Sequence, residues 1–583
     1  MYLSELRIWN FRKFGQIDRD GEIHPGLHIN FHKNLNLLVG ENDSGKTAII
    51  DAVKYVLYTR SFDYMNLSID DFYIPVGCDQ ESCRAVAFTI ECIFRGFEDS
   101  EAKNFLEWLS IDNDGYFLRV FLFASRDGRK IKSDCKAGMG EGAYLDSGAR
   151  DLLRVTYLKP LRDAESELAP RKGSRISQIL DSHEAFDEKD SHELVQIIAG
   201  ANTEIKNFFD GGSPDDKPGK RLHDEIDVYL REFSDRSAPL SSRFSVADMR
   251  LKSILERLQL SVVEHVYNNS EIIVEPGLGS NNLLFIAAEL LLLKKLEFTG
   301  LRLGLIEEIE AHLHPQAQLR LIEYLQSESE KFGIQLILTT HSPILASKMK
   351  LANLIICKNG NAYPMGDQFT HLEKGDYRFL ERFLDSTKAN LFFARGVILV
   401  EGDAENLLVP AIAEIIGLPL SKYGISIVNV GSTAFLRYSK IFLRESGSDM
   451  GIPVALITDL DIKPDKYKTI EPKAETESDK NVDDERLRKQ NLYDGQLVKT
   501  YVAPKWTLEY TIALSSNFRW ALLKAIFCAQ KEQNSNKYGV TEEKLTEIDN
   551  TILQFKEYVT QNNLSDAEIA FEIVFTHGNV SKV

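Results

Sequence analysis

Leu35-Asn36-Leu37-Leu38-Val39-Gly40-Glu41-Asn42-Asp43-Ser44-Gly45-Lys46-Thr47-Ala48-Ile49-Ile50 decides how the rest of this 583-residue chain is read. Leu35 to Val39 is a short apolar run that stops at Gly40, the pattern of a buried strand. Residues 46–59 then read as a helix. Between them stands a complete G-x-x-x-x-G-K-[ST] motif, in the strand–loop–helix setting that phosphate binding needs. Gly40, Asn42, Ser44 and Gly45 belong to a loop whose backbone N–H groups wrap phosphates, and the helix N-terminus adds positive potential. Lys46 reaches the β- and γ-phosphates and Thr47 ligates Mg²⁺, so the expected ligand is ATP. A chance glycine-rich turn is the bland alternative, and the flanking strand and helix argue against it.

Such a loop needs an apolar strand ending in acids. Leu303-Gly304-Leu305-Ile306-Glu307-Glu308 supplies it: Glu307 holds Mg²⁺, directly or through water, and Glu308 polarises the attacking water. Leu336 to Thr340 is another strand running into His341-Ser342-Pro343, where His341 is placed to sense the γ-phosphate. Alone, a surface Glu pair or a loop His means little. Beside the P-loop the functional reading wins.

Further along, Val397-Ile398-Leu399-Val400 ends in Glu401-Gly402-Asp403-Ala404-Glu405, and Pro453 to Thr458 ends in Asp459-Leu460-Asp461. In one parallel sheet, the C-terminal tips of two such strands lie side by side, so Glu401, Asp459 and Asp461 converge. Clustered hard carboxylates without His or Cys select Mg²⁺ or Mn²⁺. Two such ions activate a water and stabilise the leaving oxygen in phosphodiester cleavage. Any one of these acids alone is usually a helix cap or a solvated turn; the pair of motifs carries the weight.

Composition sets bounds. Apolar residues are 43% and charged residues 27% of a chain this long, which implies several domains rather than one core. No run reaches the roughly 18 apolar residues of a membrane helix, and the first residues alternate like a strand, so a cytoplasmic protein without membrane association is expected. The six cysteines lack any C-x-x-C pair, which argues against a zinc ribbon and a disulfide framework and for reduced thiols. A net charge of −18 weighs mildly against tight, non-specific DNA binding. Residues 84–136 alternate like an antiparallel sheet, 160–270 read as a charged helical insertion with a breaker cluster at Gly211–Gly219, and 463–495 read as a polar, exposed insertion.

The motifs together resemble a known family. Leu6-Arg7-Ile8-Trp9-Asn10-Phe11-Arg12-Lys13-Phe14, the P-loop, Glu307-Glu308-Ile309-Glu310-Ala311-His312-Leu313-His314-Pro315 and Thr339-Thr340-His341-Ser342-Pro343 resemble ABC-type ATPases of the SMC and RecF kind, and most closely the OLD (overcoming lysogenization defect) family. Ile309 stands where most relatives carry Pro. Gly277-Leu278-Gly279-Ser280-Asn281 matches the ABC signature poorly, which leaves ATP hydrolysis less secure than ATP binding. The acidic motifs resemble a Toprim domain. That resemblance implies Glu401 as metal ligand or general base, Glu405 as a second-metal ligand, and Asp459 and Asp461 as primary ligands. Gly431-Ser432 matches the turn beside such a site. Glu509, in Trp506-Thr507-Leu508-Glu509, resembles a further acid of the family, with a first-turn helix charge as its bland alternative. Relatives also use a late lysine, for which Lys505 and Lys582 are the candidates. Residues 578–583 resemble the start of that lysine's helix, so the natural protein is expected to extend further.

The implied fold is α/β: an ABC-type P-loop ATPase (1–160 and 271–375) with an inserted helical dimerisation arm (161–270), followed by a parallel β/α Toprim nuclease domain (376–583). The implied function is an ATP-binding, metal-dependent DNA endonuclease or nickase in bacterial antiviral defence. It is a homodimer or higher homo-oligomer, alone or beside a helicase or a reverse transcriptase with its nucleic acid. An SMC-like DNA clamp without nuclease activity is the alternative, which has no need of Asp459 and Asp461. A primase usually brings a zinc ribbon and a topoisomerase a tyrosine nucleophile, and neither is favoured.

Overall fold

A computed structural model describes residues 1–60, 66–78, 81–159, 170, 174–181, 184–186, 192–210, 218–233, 242–244, 250–258, 260, 264–266, 270–272, 278–294, 300–431, 434–445, 448–463, 482–535 and 539–577. Its contacts divide the chain into two units: Met1–Tyr58 with Phe62–Arg150 and Pro315–Val583, and Thr59–Ser61 with Asp151–His314.

In the first unit, Tyr2–Trp9 (β1) buries Leu3, Leu6 and Ile8 and pairs antiparallel with Leu27–Asn30 (β2). A second layer is parallel. Its central strand Leu35–Val39 (β3) is buried throughout, which suits an all-apolar run covered on both faces. The helix Lys46–Leu57 (α1) follows, apolar on most sides because it packs against the antiparallel sheet, which continues through Ala87–Arg95 (β4) and Gly115–Asp127 (β5) in the order β2-β1-β4-β5, with Leu109–Asp112 and Lys130–Ala137 both paired to β5. Gln335–Thr340 (β6) and Leu354–Lys358 (β7) flank β3 in parallel, and Asn361–Pro364 (β8) returns antiparallel to β7. One side chain stitches the two sheets. Buried Gln335 accepts from Leu3 N at 2.9 Å and donates to Leu3 O at 2.8 Å and His32 O at 3.1 Å.

The C-terminal part of this unit builds its own sheet. Gly396–Val400 (β9), Ile425–Asn429 (β10), Val454–Thr458 (β11) and Val498–Val502 (β12) run parallel in the order β10-β9-β11-β12. Helices Asp403–Ile415 (α2), Val482–Tyr493 (α3) and Leu508–Leu514 (α4) complete the β/α units. The last helices pack around a cluster that includes Tyr510, Leu523, Ile548 and Phe571.

In the second unit, Thr156–Leu158 pairs parallel with Leu303–Ile306. Glu193–Asp210 and Pro218–Phe233 pack on one another, Leu278–Leu293 is a third long helix, and Glu264–Val266 pairs with Ser270–Ile272.

Two sequence expectations are corrected. Cys78 and Cys83 form a disulfide, their Cα atoms 6.3 Å apart; Cys92, Cys135, Cys357 and Cys528 are free thiols. The polar stretch 463–495 is not exposed along its whole length: Val482–Tyr493 is a helix that buries Glu485 and Lys489, whose charges are met by Arg488 and Asp461. Residues 464–481 lie outside the described residues. Among the described residues, no helix is long and apolar enough to cross a membrane.

Replacing Gln335 by Leu strands buried backbone groups of Leu3 and His32, at about 1–3 kcal/mol. The thermal midpoint of Gln335→Leu is expected to fall by several degrees in differential scanning fluorimetry; an unchanged midpoint removes the stitch from the account.

Candidate functional site

The nucleotide loop is built as its sequence demands. A Cβ at Gly40 would meet Cys357 O at 2.4 Å, and Gly45 adopts φ +110, so both positions need glycine. The buried Lys46 ammonium donates to Gly40 O and Glu41 O, each at 2.8 Å, and lies 3.4 Å from His341 Nδ1. The P-loop and His341 are therefore brought together, since β3 and β6 are parallel neighbours with Val39 opposite Thr340. Asn42 and Thr47 are exposed at the loop, and Ser44 is buried beside Lys46.

Glu41 extends this site toward the C-terminal sheet. Its carboxylate lies 3.3 Å from Arg395 Nε and 3.7 Å from Lys358 Nζ, and Lys358 donates to Ala394 O at 3.1 Å. Arg395 directly precedes β9, so a P-loop residue is tied by charge to the root of the strand carrying Glu401. Burial lowers the Lys358 pKa, with Glu41 opposing the shift.

In the second unit, Glu307 follows its strand buried and accepts from the Tyr157 hydroxyl at 2.7 Å, while Glu308 is half-buried at φ +45. Gly279 has a packing reason for being glycine, since a Cβ there would meet His312 O at 2.6 Å. Gly277 lies outside the described residues.

The second acidic site sits where β9 and β11 end together. Val400 lies opposite Ile457, which sets Glu401 against Thr458. The Thr458 hydroxyl donates to Glu401 Oε1, and Asp459 N donates to the same oxygen at 3.3 Å. Asp459 Oδ1 accepts from Leu508 N, the first residue of α4, at 2.8 Å. Asp461 adopts φ +65, its N–H bonded to Trp506 O at 3.0 Å and its Oδ2 to Lys489 Nζ at 2.6 Å. Glu405, in the first turn of α2, is buried, and Glu509 occupies the first turn of α4.

Like charges crowd this site. Burial, then the negative charges of Glu401 and Glu509, push the Asp459 carboxyl up to about 7, against the Leu508 N–H; Glu405 adds to the rise. Glu401 is raised by burial first, opposed by its Thr458 bond and by Lys489, and reinforced by Asp461. Hard oxygen donors that repel one another fit a divalent cation of the Mg²⁺ or Mn²⁺ class. No ready-made ligand cage exists: among the described residues, no three Asp, Glu, His or Cys side chains converge as a metal-holding group. Instead, internal donors engage Glu401, Asp459 and Asp461.

Lys505 is exposed and uses its carbonyl to accept from Thr511. Ser432 and Lys582 lie outside the described residues, while Gly431 adopts φ +73 beside Asn429. Sequence reasoning missed Thr458, Lys489 and the Glu41–Arg395 pair. Only Thr458 left a trace, as the polar residue ending an apolar strand before an acid.

Comparison with known proteins fits this geometry. Residues 392–461 match the model described as "Overcoming lysogenization defect protein-like, TOPRIM domain", and residues 159–346 and 5–196 match "AAA ATPase domain" and "AAA domain" models. The chain thus joins AAA-type ATPase regions to an OLD-like TOPRIM domain. Endonuclease GajA of Bacillus cereus (strain HuB5-5) is 23% identical over 551 residues, covering 80% of this chain and 77% of the relative. GajA of strain VD045 is 22% identical over 493 residues, covering 80% and 76%. The DNA replication and repair protein RecF of Francisella tularensis subsp. novicida is 32% identical over 80 residues, 13% of this chain and 20% of that one. Among solved structures, the SMC head domain from Thermotoga maritima aligns at 16% identity over 62% of this chain and 97% of its own, with a TM-score of 0.29.

Because Asp459 is crowded by like charge, Asp459→Asn removes repulsion while its Oδ1 still accepts from Leu508. In chelator-treated protein the variant is expected to be more stable than wild type by about 1 kcal/mol after screening, read as a raised thermal midpoint. A lowered midpoint contradicts the crowding.

Proposed function

We propose that this chain is an ATP-binding, divalent-metal-dependent DNA endonuclease or nickase whose cutting is gated by nucleotide. The reading rests chiefly on one observation: parallel pairing of β9 and β11 sets Glu401 beside Asp459, with Asp461 two residues on. The endonuclease relatives and the Toprim match support it.

Asp459 and Asp461 are the primary metal ligands, Glu405 and Glu509 complete the acidic set, and Glu401 serves as ligand or general base. Bound Mg²⁺ or Mn²⁺ supplies an activated water and stabilises the leaving oxygen of a phosphodiester. Thr458 orients Glu401, and Leu508 N–H orients Asp459. A late lysine, Lys582 or Lys505, offsets charge at the scissile phosphate. At the other site the loop of Gly40, Asn42, Ser44 and Gly45 cradles ATP, Lys46 pairs its phosphates, Thr47 and Glu307 serve Mg²⁺, Glu308 orients water and His341 senses the γ-phosphate. Glu41, paired with Arg395, carries the state of that loop toward β9.

The protein acts in the cytoplasm as a homodimer or higher homo-oligomer. The insertion between the ATPase parts supplies one contact: its paired helices expose Ile197, Phe208, Leu222 and Val228, an apolar surface suited to a second copy. Bacterial antiviral defence, alone or with a helicase or reverse-transcriptase partner, is the setting that the OLD resemblance implies.

Plasmid nicking in Mg²⁺ or Mn²⁺, with and without ATP, tests the reading. Asp461→Ala is expected to lose more than about 100-fold in cutting, and Lys46→Ala to lose the response to ATP. Equal cutting by all three proteins refutes both site assignments; a wild type that binds DNA without cutting favours the clamp. For the arm, Ile197→Asp combined with Val228→Asp is expected to lower the mass measured by light scattering. An unchanged mass moves the interface elsewhere.

A further inference from the structure

Composition marks 463–495 as a polar, exposed insertion, yet Lys489, on the helix Val482–Tyr493, is only 7% exposed. Its ammonium donates to Asp459 O and to Asp461 Oδ2, each at 2.6 Å. Burying an ammonium is unfavourable unless opposite charge and hydrogen bonds replace its lost water, and here the acidic motif itself provides both. The lysine arrives from a separate element: its helix packs against β12, while Asp461 follows β11.

The surroundings fix where this charge sits. Asp461 is held in the left-handed region and its N–H is bonded to Trp506 O, so the backbone that carries its carboxylate is pinned. One oxygen of that carboxylate is taken by Lys489, although the side chain as a whole is 66% exposed. Lys489 also opposes the rise in the Glu401 pKa, so its field reaches the facing strand tip. A single positive charge therefore stands on an acid that the proposed function assigns to a doubly charged ion.

Resting on that metal reading, we infer that Lys489 is a built-in cation that competes with the divalent ion for Asp461 Oδ2 and so sets the metal concentration at which the site loads. It is a positioning residue: it acts through Asp461, holding the carboxylate in place until a stronger cation takes it. A purely structural peg behaves oppositely, since its loss disorders the turn and weakens metal binding.

Calorimetric titration of the full chain with Mn²⁺, without nucleotide or DNA, separates the two. Lys489→Gln keeps an N–H donor for Asp459 O but removes the charge. It is expected to bind Mn²⁺ about three- to fivefold more tightly than wild type, while Lys489→Arg, which keeps the charge, stays near wild type. Unchanged or weaker binding in a natively folded Lys489→Gln overturns the inference. Should that variant fail to fold, wild type decides: amine-reactive labelling of Lys489, read by mass spectrometry, rises as Mn²⁺ is added, and constant labelling overturns the inference. Asp461→Ala separates the two failures. Binding lost in Asp461→Ala but unmoved in Lys489→Gln removes the role of Lys489 alone; a wild type that titrates like Asp461→Ala removes the metal reading with it.

Discussion

Like charge gathered at the end of a parallel sheet is the constraint on which the C-terminal half depends. Two apolar strands pair so that their C-terminal tips meet, and each tip leads into acids. Partial burial, reinforced by repulsion from Glu401 and Glu509, pushes the Asp459 carboxyl up to about 7. The fold tolerates this by surrounding the acids with donors: the Thr458 hydroxyl, two backbone N–H groups and the Lys489 ammonium. Such an arrangement is strained as a structural feature and sensible as a cation site, because a divalent ion replaces several weak compensations with one strong one.

The nucleotide loop follows the same logic with the sign reversed. Lys46 is a buried positive charge wrapped in loop carbonyls, close to His341. Between the two sites lies Glu41, which belongs to the P-loop but makes its ion pairs with Lys358 and Arg395. Arg395, one partner of Glu41, is the residue that directly precedes β9. Gln335 serves the ATPase part differently, converting two sheets into one stiff support for the loop.

The P-loop was legible because phosphate binding forces its residues to be contiguous, and the glycines are required by close approach and positive φ. The strands before Glu401 and Asp459 were legible because fully buried parallel strands read as apolar runs. Lys489 was not, for two reasons. Its bond to Asp461 joins residues 28 apart across an insertion, and its helix lacks the apolar stripe that marks a packed face. Charge pairing, rather than hydrophobic periodicity, buries that helix. The Cys78–Cys83 pair was not legible because a five-residue separation follows no recurring motif. Of the two lysines that the family resemblance offered as charge stabiliser, Lys505 is exposed and Lys582 lies outside the described residues.

Anomalous scattering from crystals grown with Mn²⁺ tests the central claim most directly. A strong peak within ligating distance of Asp459 and Asp461, with Glu401 beside it and the Lys489 ammonium drawn away from Asp461, is the predicted result. Manganese found only at Thr47, with Lys489 still seated on Asp461 at saturating metal, would contradict it.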